Sequence, residues 1–510
     1  MSTLDYIILS LYLLLICGIA GVFAGRQKSL KDYFMGNRNI PWYAAAFSGV
    51  ATIASAASFL GGPGVAFAGN LQFLQYRLAM PLVLGIICGM ILPMFFRLQV
   101  YSIYEYLERR FDSRVRLVAS VLFLLLKGGY LAICVYAPAI VLAALSGWSI
   151  AGTVFLIGGV TVLYTMVGGI KAVIWTDTVQ LAIYIGAIVM VISLISQSVD
   201  GGLAEVVSIA HEHGRLSYFN FSFSLTEPYT FWAGIFGGTV FTISQFGTDQ
   251  AEVQRYLTTR NIRQSNIAMI SSMIAAALVG VAIFFIGAAL FAFYQTHPGK
   301  LTEEIGPNGI FPKFIAEELP SGVKGLLVAA ILAAAMSTIS SIINSMATVT
   351  LADIWPRVTS RTPGVTAGRW FTVAFGMAAT TLACFGRQFG NILEASILVS
   401  NLFGGSIVGT FLLGMLVQRV TARGAFIGML SGFATAIFLW WGTPIASLWY
   451  GVFSLVVVWV VGILTSLFEL APDPEKTAEF VYRFSPASNG SLSRSIEARA
   501  EHPIVSRRDP

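Results

Sequence analysis

The amino-acid sequence predicts an all-α integral membrane protein with about thirteen transmembrane helices. Of its 510 residues, 56% are hydrophobic and only 11% are charged, and the mean hydropathy is +0.77. A soluble globular protein typically has about 25% charged residues, so a chain this poor in charge cannot keep its surface in water. We therefore expect one transmembrane domain over residues 1–470, surrounded by lipid, and a polar, disordered cytoplasmic tail over residues 471–510.

Thirteen stretches are long and apolar enough to cross a bilayer, which takes about 20 residues of helix. They are residues 4–25, 41–68, 71–96, 115–145, 149–168, 172–196, 229–254, 265–294, 322–352, 366–386, 391–417, 421–441 and 445–469. Two connections, 197–228 and 295–321, have room for structure of their own.

The basic residues fall mainly on alternate connections, which predicts the orientation of the chain. Eighteen Lys and Arg lie on one set of connections, whereas the opposite set holds five, namely Arg215, Lys300, Lys313, Lys324 and Arg387. The positive-inside rule then places the N-terminus outside and the C-terminus in the cytoplasm, in a multi-pass protein of the cytoplasmic membrane. The formal charge of +6 is thereby assigned to topology, so we do not expect a nucleic-acid partner. We also expect no obligatory protein partner.

The sequence contains no pattern typical of an enzyme. It has no Walker motif, zinc-ligand spacing or nucleophile elbow, and its four cysteines are scattered through apolar stretches. We therefore expect a protein that is not an enzyme.

Stretch 322–352 carries hydroxyl groups in an otherwise apolar helix. Ser337, Thr338 and Ser341 fall with Ala334 within roughly a 120° arc, at about 100° per residue, and Ser340 lies outside it. Hydroxyl oxygens are hard ligands suited to a small alkali cation. The alternative is that Ser and Ala let neighbouring helices pack closely.

Stretch 41–68 has the composition of a broken helix. Its small residues 51–58 (ATIASAAS) are followed by Gly-Gly-Pro-Gly at 61–64. The carbonyl groups of an unwound segment can bind a cation. Tight packing on small residues is the alternative.

A few ionisable residues fall at membrane depth, where a charge costs several kcal/mol and usually marks the path of a solute or an ion. They are Arg77, Lys127, Asp177, Asp249, Glu252 and Glu394. Asp177 either caps the start of its helix or binds a cation. Arg77 either reaches the outer interface or holds the carboxylate of a solute, and Lys127 and Tyr130 are placed to line the same cavity.

Several motifs in this chain resemble those of the sodium:solute symporter family. The most specific is residues 164–180 (YTMVGGIKAVIWTDTVQ). It is supported by DYF at 32–34, YEYLERRF at 104–111, VQRY at 253–256 and AAAMST at 333–338. These motifs lie between residues 32 and 338 and follow the order of the family.

The resemblance implies a fold and a set of site residues. The core would be a five-plus-five inverted repeat over helices 41–196 and 229–417, with one helix before it and two after. A sodium site would use the carbonyls of Ala51, Ala54 and Ala334 and the hydroxyls of Ser337 and Thr338. A second sodium site, as in the bacterial sialic-acid symporter of the family, would use Asp177, Ser337, Ser340 and Ser341.

The resemblance also proposes substrate-binding residues, although the match is weaker there. Ser55 and Ser58 fall on hydroxyl positions of the sialic-acid symporter, Arg77 falls on its glutamine, and Tyr130 stands where it has a carboxylate-binding arginine. Phe246 is a further candidate for the cavity wall. The lysine of the sugar symporters and the aspartate of the proline symporter are both absent.

We therefore expect a symporter that imports a small organic solute, most simply a carboxylate, together with one or two sodium ions. A proton-coupled symporter with Asp177 as its titrating group, and a sodium symporter of a neutral sugar or amino acid, are alternatives. A more remote alternative is a transporter-like solute sensor.

Overall fold

The computed structural model describes residues 1–25, 27, 29–301, 306–386 and 392–482, and all regular secondary structure within them is helical. The helices used below are α1 (Thr3–Val22), α2 (Trp42–Ile53), α3 (Ala56–Ala68), α4 (Gln72–Leu98), α5 (Ser113–Ser146), α6 (Ile150–Ser198), α7 (Gly202–Glu212), α8 (Gly238–Gly247), α9 (Gln250–Tyr256), α10 (Ile262–Thr296), α11 (Pro307–Glu318), α12 (Val323–Val358), α13 (Val365–Ala383), α14 (Ile392–Leu416), α15 (Ala422–Gly442) and α16 (Ser447–Leu467). The predicted all-α architecture is confirmed.

Among the described residues, nine helices are long and apolar enough to cross a membrane, and α2 and α3 together add a tenth, bent span. Helical structure lies at each of the thirteen predicted stretches. The helices at 229–254 and 366–386 are not among the nine that are both long and apolar enough to cross a membrane. The number of thirteen transmembrane helices therefore stays a prediction. Helices α7 and α11 confirm that the two long connections hold structure of their own.

Helix α6 is a run of 49 residues interrupted at Gly169. A straight helix of that length would measure about 73 Å at 1.5 Å per residue, more than twice the hydrocarbon thickness of a bilayer. Gly169 has φ 59° and ψ −163°, which is a conformation nearly restricted to glycine. This residue lets the chain turn where the sequence predicts two helices.

The predicted broken helix is present, but it breaks before its Gly-Pro segment. Helices α2 and α3 meet at an angle of 56°, and the residues between them are Ala54 and Ser55. The Ser55 hydroxyl accepts a hydrogen bond from the Ser58 N–H at 3.4 Å, so a polar N-cap starts the second half. Pro63 lies inside α3.

Helix α12 lies at the centre of the molecule. Its most apolar window is 94% buried, and it packs against α1, α2, α5, α6 and α13. The small and hydroxyl-bearing residues on its faces therefore contact protein on all sides. Of the predicted tail, residues 471–482 are described and begin with a short helix, Pro474–Thr477, whereas residues 483–510 lie outside the described residues.

Gly169→Ala should lower the thermal stability of the protein. A Cβ atom at this position would lie 2.8 Å from the Tyr33 carbonyl oxygen, and the backbone conformation alone would cost about 1–3 kcal/mol with a side chain. The matched control is Gly159→Ala on the same helix, where a Cβ atom has no neighbour within 4 Å. The melting temperature of purified Gly169→Ala should be several degrees lower than that of the wild type, and that of Gly159→Ala should be unchanged. Equal melting temperatures for the two variants would contradict the interruption of α6 at Gly169.

Candidate ion and substrate site

The break between α2 and α3 leaves two backbone carbonyl groups outside the helical ladder. The N–H of Ser55 donates to the carbonyl of Ile53 at 2.8 Å and so is not available to Ala51, four residues back. Because α2 has ended, Thr52 also lacks its helical donor. Buried carbonyl groups nearly always have a partner, so these two must find one elsewhere.

Hydroxyl groups of α12 supply those partners. Ser337 Oγ donates to the carbonyl oxygens of Ala51 at 2.8 Å and Ala334 at 3.1 Å. Thr338 Oγ1 donates to the carbonyl oxygens of Thr52 at 2.9 Å and Ala334 at 3.1 Å. Five oxygen atoms from two helices thus converge in a buried position, and oxygen is the ligand that hard cations prefer.

This cluster contains four of the five residues proposed for the first sodium site, because Ala51, Ala334, Ser337 and Thr338 are together. Ala54 lies in the break and lines the neighbouring cavity, but its carbonyl takes no part in these contacts. Sequence reasoning missed Thr52. Its place in the last turn of α2, one residue after Ala51 and just before the break, is the signal that could have found it.

Asp177 lies inside α6, eight residues after Gly169, so it does not cap a helix. Its Oδ2 atom accepts hydrogen bonds from Ser48 Oγ at 2.6 Å and from Ser341 Oγ at 3.4 Å. The Arg255 guanidinium lies 3.5 Å from the same oxygen. Both ends of this ion pair are almost fully buried.

Sequence reasoning also missed the role of Arg255, which falls in the connection just after the predicted stretch 229–254. The Arg255 Nε–H donates to Ser48 Oγ at 2.7 Å, and a terminal nitrogen donates to Ser341 Oγ. The hydroxyl of Ser340 instead donates to the Ser337 carbonyl at 3.0 Å. Of the four residues proposed for a second sodium site, Asp177 thus contacts Ser341, whereas the Ser340 hydroxyl is bonded to the Ser337 carbonyl rather than to Asp177.

A cavity of about 550 Å³ lies beside the oxygen cluster. Small-molecule sites typically measure about 300–1,000 Å³. Thr52 and Thr338 belong both to the cluster and to the cavity wall. Of the proposed substrate residues, Ser58, Arg77 and Tyr130 line the cavity.

Arg77 extends toward the middle of α10 rather than toward a membrane interface. One terminal nitrogen donates to the Ala276 carbonyl at 3.0 Å, and the guanidinium lies 5.1 Å from the centre of the Tyr76 ring. A Cβ atom at Gly280 would lie 2.3 Å from Arg77, so the absence of a side chain there makes room for the guanidinium. Among the described residues Arg77 has no carboxylate partner, and its Nε atom is buried without a hydrogen bond.

Three other charged residues of the cavity wall, Lys127, Asp249 and Glu394, have partners. Lys127 forms an ion pair with Asp249 and lies 5.4 Å from the centre of the Tyr130 ring. Glu394 interacts with the Tyr229 hydroxyl. The expectation that Lys127 and Tyr130 line one cavity is thus confirmed.

Two of the proposed substrate residues do not lie on the cavity wall. Ser55 is fully buried and interacts with the side chain of Tyr130. Phe246 is only 1% exposed and belongs to the core packing of α8. Ser55 can therefore orient a wall residue, whereas Phe246 supports the wall from behind.

The fold and these buried polar sites define a multi-pass membrane transporter, and comparison with known proteins agrees. The sodium/sialic acid symporter of Aliivibrio fischeri is 36% identical over 91% of this chain and 93% of that protein. Sodium-coupled monocarboxylate transporter 1 of Homo sapiens is 31% identical over 86% of this chain and 74% of that protein. A solved structure of a Na⁺-coupled sialic acid symporter, in a substrate-bound outward-open state, has a TM-score of 0.86 at 31% identity and covers 92% of this chain and 99% of that one.

The chain belongs to the sodium:solute symporter family, whose profile matches residues 33–432. The family resemblance inferred from the motifs is therefore confirmed. The relatives are transporters of solutes rather than enzymes.

Asp177→Asn should destabilise the protein more than the double variant Asp177→Asn/Arg255→Gln. The single change leaves the buried Arg255 charge without its carboxylate, and breaking a buried pair in this way costs about 3–5 kcal/mol. A double-mutant cycle on thermal or denaturant unfolding measures the coupling. Additive effects of the two changes would contradict the pairing.

Proposed function

We propose that this protein is a sodium-coupled symporter that imports a small organic carboxylate across the cytoplasmic membrane by alternating access. The observation that carries the proposal is Arg77. Its planar guanidinium can form two parallel hydrogen bonds to a carboxylate, it faces a cavity of suitable size, and no described carboxylate pairs with it. Arg77 is partly buried, and its buried Nε atom has no hydrogen-bond partner among the described residues, so a substrate anion would complete its coordination.

The sodium ion would bind at the oxygen cluster of the break. Ala51, Thr52, Ala334, Ser337 and Thr338 would be its ligands, with Ala54 available from the same break. Binding would replace hydroxyl–carbonyl hydrogen bonds by contacts of each oxygen with the ion, and would join α2 and α3 to α12. Since Thr52 and Thr338 also face the cavity, the ion would fix one wall of the substrate site.

A second sodium ion would bind near Asp177 with Ser337, Ser340 and Ser341. In the arrangement described, Arg255 already balances the Asp177 charge, so a second ion would require Arg255 to move. We therefore propose one tightly bound sodium ion, with a second site that opens only on rearrangement. With one sodium ion and one monocarboxylate the transported charge is zero, whereas a second sodium ion would add about 2.3 kcal/mol of driving force per 100 mV.

The remaining organisation is part of the same proposal. Helices 41–196 and 229–417 would form a five-plus-five inverted repeat that rocks about the site, within a transmembrane domain ending near residue 470. The N-terminus would lie outside and the tail in the cytoplasm. A relative that transports monocarboxylates and one that transports sialic acid both support a carboxylate.

Three alternatives differ in what they require of the site. A neutral sugar or amino acid would leave the Arg77 charge unmatched by its substrate. Proton coupling through Asp177 would have to break the contact with Arg255. A solute sensor would bind the same ligands without moving them across the membrane.

Arg77→Gln should abolish stabilisation of the protein by its anionic substrate. The melting temperature of the purified protein would be measured with a panel of monocarboxylates, sialic acid, neutral sugars and amino acids, in sodium chloride and in potassium chloride. A ligand that binds the folded state raises this temperature. We expect a sodium-dependent rise with a carboxylate in the wild type and in the exposed control Arg361→Gln, and at least a tenfold weaker affinity in Arg77→Gln.

The control variant and the panel of solutes show which part of the proposed function fails, if one does. A rise with neutral solutes alone would overturn the carboxylate assignment while keeping the symporter. A rise that is equal in potassium and sodium would overturn sodium coupling. Accumulation in proteoliposomes driven by an inward sodium gradient would separate a transporter from a sensor.

Thr338→Val and Ser337→Ala should each raise the sodium concentration needed for half-maximal uptake or stabilisation. Each variant removes one oxygen from the cluster, and a contact to a charged group is worth about 1.5–3 kcal/mol, or roughly 10–100-fold. Ser345→Ala is the matched control, because its hydroxyl donates to Ile342 of its own helix at 2.8 Å. Unchanged sodium dependence in both test variants would remove α12 from the site.

A further inference from the structure

Glu252 is a buried acid whose surroundings do not balance a negative charge. It lies on α9, lines the cavity and is 2% exposed. Its Oε2 atom accepts one hydrogen bond, from the Tyr256 hydroxyl at 3.2 Å. Its Oε1 atom is buried and has no hydrogen-bond partner among the described residues, although an ionised carboxylate has about four acceptor positions to satisfy.

Within the described part of the chain, four titratable or charged groups surround Glu252, and each of the two cations among them is held by another acid. Lys127, from α5, is ion-paired with Asp249, which is itself an acid three residues before Glu252. Arg255 is held by Ser48, Ser341 and the Asp177 carboxylate. The fourth group is Tyr256, whose hydroxyl bonds also to Ser272 at 3.0 Å.

The local charge count is therefore unequal. Asp177, Asp249 and Glu252 are three acids, whereas Lys127 and Arg255 are two cations, and each cation is in contact with an acid other than Glu252. An ionised Glu252 would be an uncompensated charge in the interior of a membrane protein, which costs several kcal/mol. A proton on the carboxyl group removes that charge and needs no additional space.

We propose that Glu252 is a proton-binding site of this transporter, occupied in the arrangement described and in exchange with solution through the cavity. On release, the O–H bond breaks, the electron pair stays on the carboxylate and the proton passes to water in the cavity. Release adds a negative charge to the cavity wall that faces the substrate. Sodium-coupled uptake of an anion would then weaken as the pH rises, by about tenfold for a unit charge roughly 10 Å from the substrate.

The bound proton can be tested without a substrate, so its failure would be distinct from failure of the proposed function. Infrared spectra of the purified full-length protein at pH 7 should contain the carbonyl band of a buried protonated carboxylic acid, shifted in deuterated water. We expect Glu252→Gln to remove one such band. Glu108→Gln is the matched control, because Glu108 forms ion pairs with Arg116 and Arg357, and it should leave the band unchanged.

Stability provides a second measurement with a defined sign. If folded Glu252 holds a proton that the unfolded chain releases, the folded state binds more protons, and unfolding stability falls with rising pH. The melting temperature of Glu252→Gln should therefore exceed that of the wild type by a margin that grows from about pH 5 to pH 9. Glu252→Met, also uncharged, serves if the glutamine variant does not fold.

Either of two results would overturn the proposal. One is a wild-type spectrum in which no protonated acid band depends on Glu252, and the other is a stability difference between wild type and variant that does not change with pH. A band that persists in Glu252→Gln but disappears in Asp177→Asn would assign the proton to Asp177 instead.

Discussion

The break at Ala54 and Ser55 is the constraint on which the rest of the site depends. Inside a membrane protein every backbone carbonyl needs a partner, and the break deprives Ala51 and Thr52 of theirs. Ser337 and Thr338 can supply partners only because α12 runs against the break, buried on all sides. The same oxygens that repair the broken helix are those a sodium ion would use, so the structural requirement and the proposed ion site are one arrangement.

Charge is the second constraint, and it separates the buried ionisable groups by role. Lys127 and Arg255 each contact a carboxylate of the protein, as expected for charges removed from water. Among the residues that the structure describes, Arg77 faces the cavity without such a partner, whereas Glu252 is the acid that no cation contacts. In a purely structural network, a buried cation and a buried acid would be paired with each other. Arg77 and Glu252 both line the cavity but are not paired, which favours a functional role for each.

Sequence patterns predicted most of the scaffold and part of the site. Apolar stretches located the helices, and the hydroxyl groups of α12 were identified because their spacing places them on one face. The broken helix was predicted from residues 51–64, and the break lies at Ala54 rather than in the Gly-Pro segment, since Ser55 can cap a new helix while Pro63 is tolerated inside one. Arg255 was assigned to a connection because its partners Asp177 and Ser341 are distant in sequence. Ser55 was placed by family resemblance and Phe246 as a candidate for the cavity wall, and neither argument can say whether a side chain faces a cavity or the packing behind it.

The geometry also gives a physical route for coupling between ion and solute. Thr52 and Thr338 belong to both the oxygen cluster and the cavity wall, so an ion there would orient groups that the solute contacts. Its positive charge would also attract a carboxylate held by Arg77 in a region of low dielectric constant. Coupling between two binding sites is reciprocal: a solute that binds more tightly beside sodium must in turn tighten sodium binding. A neutral solute would gain from the orientation of Thr52 and Thr338 by the ion, but not from attraction to its charge. The strength of sodium coupling in this site must therefore depend on the charge of the solute.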